Sequence, residues 1–142
     1  TGSTEDVQKS KEAAQAMIDK GVDLIGGGGN ASNAGMIKAC EEAGVYAFGE
    51  LEQQNLAPET VIFCNMNNIE NLVLQAVKDT IDGDFQGCIR EYGIAADVAQ
   101  LTEYNSHVPQ EVKDKLAECM DQMRSGELDI PMITEISDDI IH

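Results

Sequence analysis

A chain of 142 residues with 42% apolar residues is long enough for one domain with a real hydrophobic core. Its 26 acidic and 9 basic residues leave a formal charge of −17, a surface that repels phosphate backbones and anionic lipid and argues against nucleic acid as a partner. No apolar run approaches the ~20 residues of a membrane-spanning helix. The four cysteines are 24, 24 and 31 positions apart, with no C-x-x-C pair. That spacing gives no zinc or redox motif, so buried free thiols are expected. Because the chain begins at Thr1 rather than Met, it is expected to be a processed or trimmed product.

Helix and strand signals alternate along the chain. Ser3 or Thr4, followed by Glu5 and Asp6, reads as a capped helix start, with Val7, Ala14, Met17 and Ile18 on one face and Gly21 past the end. A strand over 22–26 runs into Gly26-Gly27-Gly28-Gly29-Asn30. Asn33 is placed to cap the next helix, which turns Met36, Ile37 and Cys40 inward and stops at Gly44. A strand follows over 45–49. After a polar loop with Pro58 comes the continuous apolar strand 60–64, a pattern suited to a sheet covered on both faces. Asn67 and Glu70 form an N-x-x-E helix start. Ile69, Leu72, Val73, Ala76 and Val77 repeat at helical spacing up to Gly83. Cys88–Tyr92 and Val98–Leu101 read as short strands. Pro109 opens a last helix that buries Val112, Leu116, Cys119, Met120 and Met123 and ends at Gly126, and 128–133 reads as an edge strand because of Pro131. Such alternation specifies an α/β, Rossmann-like unit: a mostly parallel sheet in a three-layer arrangement with right-handed crossovers. The opening helix lacks a strand before it, so either a neighbouring element is absent or the helix packs on an unpaired sheet edge.

The glycine run is the first candidate for a binding site. Glycines at the carboxyl end of a strand let a ligand approach bare backbone. Read as G-x-G-x-x-A with Glu50 22 residues past Gly28, the segment also fits a dinucleotide-binding fingerprint, and equally a tight packing turn. No Gly-Lys-Ser/Thr follows, so it is not a P-loop. Asn65, Asn67 and Asn68 cluster near a strand end, where amides suit a sugar or a base, although helix capping explains Asn67 as well. His107 lies in a loop and His142 is terminal. No nucleophile–base pair or metal-ligand spacing stands out, so no catalytic residues, metal or cofactor are assigned.

Several segments, in order, resemble one known family. They are Thr1-Gly2-Ser3 before the helix Lys11–Ile18; Gly21–Ile25 with its glycine loop; Gly44–Gly49; Ala57–Val61; and Val108–Lys115 followed by Ser125-Gly126-Glu127. Together they are similar to the basic membrane protein family, the purine-nucleoside-binding lipoproteins of ABC transporters. The resemblance implies one lobe of a type I periplasmic-binding-protein fold, spanning 1–142 and like the carboxyl-terminal lobe, with the partner lobe and the first strand and helix absent. It implies a non-enzymatic, extracytoplasmic solute-binding protein, lipid-anchored in full-length form, that captures a nucleoside or sugar-like ligand and passes it to an ABC permease. The ligand-binding candidates are Thr4, Gly29, Asn30, Ser32, Glu50 and Asn67.

The resemblance also implies an altered pocket. Thr4 stands where the family carries an aromatic that stacks on the purine. Leu51 stands where it carries a ribose-binding acid, with Glu50 one place early, and Asn67 stands in place of a lysine. Two alternatives remain open: a dinucleotide-dependent oxidoreductase domain using Gly26–Ala31 and Glu50, and a sensory or structural domain that has lost its ligand. A homodimer through the open sheet edge or a lobe-facing surface is also expected.

Overall fold

The computed structural model describes residues 2–131. In chain order the elements are α1 (Val7–Ile18), β1 (Leu24–Gly26), α2 (Ser32–Ala43), β2 (Tyr46–Glu50), a 3-10 turn (Gln53–Leu56), β3 (Val61–Asn67), α3 (Ile69–Asp82), a second 3-10 turn (Ile94–Ala96), β4 (Ala99–Leu101) and α4 (Gln110–Ser125). The four strands form one sheet in the order β1-β2-β3-β4. The first two pairings are parallel and the last is antiparallel. The architecture is a mixed α/β sheet, mostly parallel and flanked by helices, and β1 lies at an edge with no further strand beside it among the described residues.

Local chemistry explains most boundaries. Gly44, Gly83 and Gly126 end α2, α3 and α4 in the left-handed conformation, where a side chain would be strained. The caps at the amino ends differ from expectation. Asp6 caps α1 by accepting from Lys9 N, while Ser3 Oγ accepts from the Glu5 and Asp6 amides one turn earlier. Asn68, not Asn67, caps α3 by accepting from Asn71 N, because β3 continues through Asn67 and leaves it in strand geometry. Asn33 does not cap α2: Ala31 holds that place without a side-chain bond, and Asn33 turns inward.

The core lies between α1, α2 and one face of β1–β3. Ala14, Ile25, Met36, Ile37, Cys40, Ala47, Val61 and Cys64 are all buried there. Full burial of a side chain the size of Ile37 or Met36 contributes about 1.5–3 kcal/mol. The two helices meet closely because Gly35 has no side chain. A Cβ there would come to 2.0 Å from the Val7 carbonyl oxygen. The sheet's other face is less covered: along β2, Tyr46 and Phe48 alternate with the buried Ala47 and Gly49. Phe48 stacks on Phe63 at 5.6 Å, and Phe63 meets the edge of Tyr104 at 5.8 Å. Leu24, Tyr46 and Phe48 still remain a third or more exposed.

The second half departs from the expected burial. The apolar stripe of α3 is solvent-facing at Ile69, Val73, Val77 and Ile81, because no described helix or strand packs extensively against it. Along α4, Val112 is exposed and Leu116, Cys119, Met120 and Met123 are half-buried. Cys88–Tyr92 is a loop rather than a strand. It is strapped to α3 by Arg90 and Tyr92, which both donate to Asp79. Leu128–Pro131 is likewise irregular, and the rest of the expected last strand, Met132 and Ile133, lies outside the described residues. Of the thiols, Cys40 and Cys64 are buried, Cys119 is half-buried and Cys88 is exposed. Burial pushes the Cys40 and Cys64 thiols up from the ordinary cysteine range.

Candidate functional site

The carboxyl ends of β1 and β2 lie side by side, paired Leu24 with Tyr46 through Gly26 with Phe48. The chain leaves β1 into the glycine run and leaves β2 into the turn at Gln53. None of Gly26–Gly29 has a positive φ. Their lack of side chains serves close approach instead. A Cβ at Gly26 would strike the Phe48 ring at 1.9 Å, and one at Gly27 would come to 2.8 Å from Asn33 Oδ1. One at Gly29 would come to 2.6 Å from Ser32 Oγ, while Gly28 meets Glu50 Oε1 at 3.4 Å. The space beside Gly26 and Gly27 is therefore taken by the protein's own side chains, while Gly28 and Asn30 are exposed and Gly29 is half-buried.

Five of the sequence-selected residues converge here. Glu50, at the tip of β2, accepts from the Gly29 N–H through Oε2 at 3.3 Å. Ser32 begins α2, and its N–H, one of the helix's orphan donors, reaches the Thr4 carbonyl at 3.0 Å. Asn30 Nδ2 donates to Glu5 Oε1 at 2.9 Å, tying the loop to the segment before α1. The sixth, Asn67, is elsewhere. It is exposed at the end of β3 opposite Ala99 and borders an apolar cleft of about 230 Å³ between β3, β4 and α4, with Leu116, Met120 and Met123 on its far wall. A smaller cleft of about 170 Å³ lies beside the glycine run, lined by Ser3, Gly26–Gly28, Ser32, Asn33 and residues of α1.

Two further residues at the strand tips were not singled out from the sequence as part of the site. Asn33 is 3% exposed and donates from Nδ2 to the Gly27 carbonyl and to Gln53 Oε1, both at 3.1 Å. Gln53 Oε1 also accepts from the Glu50 N–H at 2.9 Å. The sequence signal was slight: a glutamine three residues past the strand-end Glu50, and an asparagine that looks equally like a helix cap. Among the described residues no cluster of three or more His, Cys, Asp or Glu could hold a metal ion. Chemically, the tips offer a carboxylate acceptor, small hydroxyl and amide groups, and exposed backbone, a set suited to hydrogen-bonding a polar solute.

The profile of the Bmp family, described as PnrA-like ABC transporter substrate-binding proteins, matches residues 1–134. The chain belongs to the Bmp family. Among its relatives, a purine-binding protein of Brucella abortus is 26% identical over 124 residues, covering 87% of this chain and 35% of that protein. A Haloferax volcanii protein whose name assigns it to glucose binding in an ABC transporter is 26% identical over 126 residues, covering 88% of this chain and 32% of that one. This Bmp chain thus spans about a third of the length of the curated relatives it matches. Among solved structures, an ABC transporter solute-binding protein of Aeropyrum pernix superposes with a TM-score of 0.72 at 21% identity, over 97% of this chain and 47% of that one. A transcriptional activator of the comK gene from Bacillus halodurans gives 0.81 at 21% identity, over 90% and 46%. At that identity the likeness speaks for the fold, which the Bmp chain shares with solute-binding proteins.

Proposed function

We propose that this Bmp-family chain is the larger part of one lobe of an extracytoplasmic solute-binding protein, and that its strand tips hold a small polyhydroxylated ligand, a nucleoside or a sugar. The observation that carries this reading is the convergence of Glu50, Gly29, Asn30, Ser32 and Thr4 at the carboxyl ends of β1 and β2, where open α/β sheets bind ligands. Family membership supports solute capture, and the names of two relatives point to a purine and to glucose. In this reading a counterpart lobe closes over the site and an ABC permease receives the ligand. A lipid anchor, as the family resemblance implies, would hold the full-length protein at the membrane. Asn67, near the end of the adjacent strand β3, is the outermost member of the proposed ligand set. A homodimer through the open β1 edge is part of the same proposal and is checked by light scattering.

The pocket lacks the stacking ring and the ribose acid that the family resemblance implies, with Thr4 and Leu51 in their places. A missing base–aromatic contact costs about 1–3 kcal/mol. Binding to this chain is therefore expected to be weaker than micromolar. Adenosine and D-glucose titrated against 15N-labelled protein should give saturable shifts at Gly29 and Glu50, lost in Glu50→Ala. No shift from either, nor from a wider nucleoside and sugar panel, would overturn the reading in favour of a domain that has lost its ligand. Large thermal stabilisation by NAD or NADP would instead favour the dinucleotide alternative.

A further inference from the structure

We infer that Gln53 and Asn33 are positioning residues that lock the glycine loop and the Glu50 carboxylate into one rigid unit, presenting an acceptor for the hydroxyls of a polyhydroxylated solute. The inference deepens the solute-binding reading and rests on it.

The argument begins with burial. Asn33 is almost wholly enclosed, and an enclosed amide must find partners or destabilise the fold. Its Nδ2 has two protons, and the structure uses both across two different segments. One goes to the Gly27 carbonyl, in the loop after β1, and the other to Gln53 Oε1, in the turn after β2. Gln53 Oε1 is a two-way acceptor, because it also takes the Glu50 N–H. Fixing the Glu50 backbone in this way sets where its side chain starts, and the carboxylate then reaches back to the Gly29 N–H. The glycine loop is thus held twice, at Gly27 through Asn33 and at Gly29 through Glu50. Both attachments converge on Gln53.

An independent observation at the same tip supports a role beyond packing. Leu51 has φ +54°, a left-handed conformation that leucine rarely adopts, and its side chain is 55% exposed. Burial of that side chain is no compensation for the strained backbone. What holds it is the bonding on either side: Glu50 N–H to Gln53, and Leu51 N–H to the Asn65 carbonyl at 2.8 Å. Backbone held against its preference by surrounding bonds is typical of ligand-clamping segments.

Amide hydrogen exchange on the 142-residue chain tests the inference without any ligand. Gln53→Met keeps the length of the side chain and removes the acceptor. Exchange at Glu50 should accelerate about tenfold, and so should exchange at Gly29, which does not touch Gln53, while Ala47 and Val61 in the core stay unchanged. Gln53→Glu retains the acceptor and should restore protection at both amides. Asn33→Asp, which removes the donor, should reproduce the Gln53→Met pattern at Gly29 and serves if Gln53→Met does not fold. Gly29 exchange unchanged in both Gln53→Met and Asn33→Asp, or accelerated equally with the core, would overturn the inference. Adenosine and D-glucose added to the wild type separate the two ideas: silence from both, with the exchange coupling intact, removes the ligand and leaves the clamp standing.

Discussion

α2 and α3 make an instructive pair. Both are amphipathic helices ended by a left-handed glycine, and both follow a parallel strand. α3 has the clearer apolar stripe, yet none of its residues is buried, whereas α2 buries seven. The difference is supplied by neighbours. α2 lies between α1 and the sheet, and Gly35 lets α1 come close. α3 has no described helix or strand packed extensively against it, and Ile69, Val73, Val77 and Ile81 are exposed. Helical spacing therefore tells which face would be buried, and tertiary context decides whether anything buries it.

The sharpest way to break this contrast is thiol labelling. Cys88 in the loop should react with a thiol reagent first and Cys119 next. Cys40 and Cys64, buried and pushed toward the protonated form, should react on the order of a thousandfold more slowly, in step with global unfolding. Cys40 labelling at the rate of Cys88 would mean that the α1–α2 core is open.

A paired substitution measures the same contrast as stability. Ile37→Ala, in the core, should cost about 2–5 kcal/mol by denaturant titration. Ile81→Ala, on a residue 78% exposed, should change stability by no more than about 0.5 kcal/mol. A cost above about 1 kcal/mol at Ile81 would show that the α3 face is covered in solution.

The smallest effect concerns the strap on α3. Hydrogen bonds from Tyr92 and Gln75, together with the Arg90 charge, hold the Asp79 carboxyl below the ordinary aspartate range. Because the folded value is the lower one, this contribution is complete above the unfolded value and is lost as pH falls through the folded one. The Tyr92 ring resonances should therefore shift toward their free-loop positions only on the acid side of the ordinary carboxylate range. In Asp79→Asn they should do so already at neutral pH. A Tyr92 signal insensitive to both acid and Asp79→Asn would remove the strap.

Much of the architecture was legible in the residues. The alternation of helices and strands from α1 through α3, the parallel β1–β3 core and the helix ends at Gly44, Gly83 and Gly126 all follow from periodicity and from backbone that only glycine adopts readily. The candidate site was legible as far as its location, since the glycine run and Glu50 mark adjacent strand ends. Its wiring was not. Asn33 looked like a cap, and one register step separates Asn67 in the strand from Asn68, the actual cap. The segment 88–92 has strand-like residues but lies as a loop, because it is held by Asp79 rather than by a neighbouring strand.

The sequence by itself determined the α/β class, the alternation of helix and strand from α1 through α3 and the position of the glycine run at a strand end, because these depend on local spacing and on conformations that few residues adopt. Tertiary structure alone decided that Phe48 and Asn33 take the space beside Gly26 and Gly27, that Gln53 ties Glu50 to the loop, and that among the described residues the α3 stripe is exposed. Those outcomes depend on which segments meet across the fold, and a hydrogen bond or a buried face exists only when both of its partners arrive.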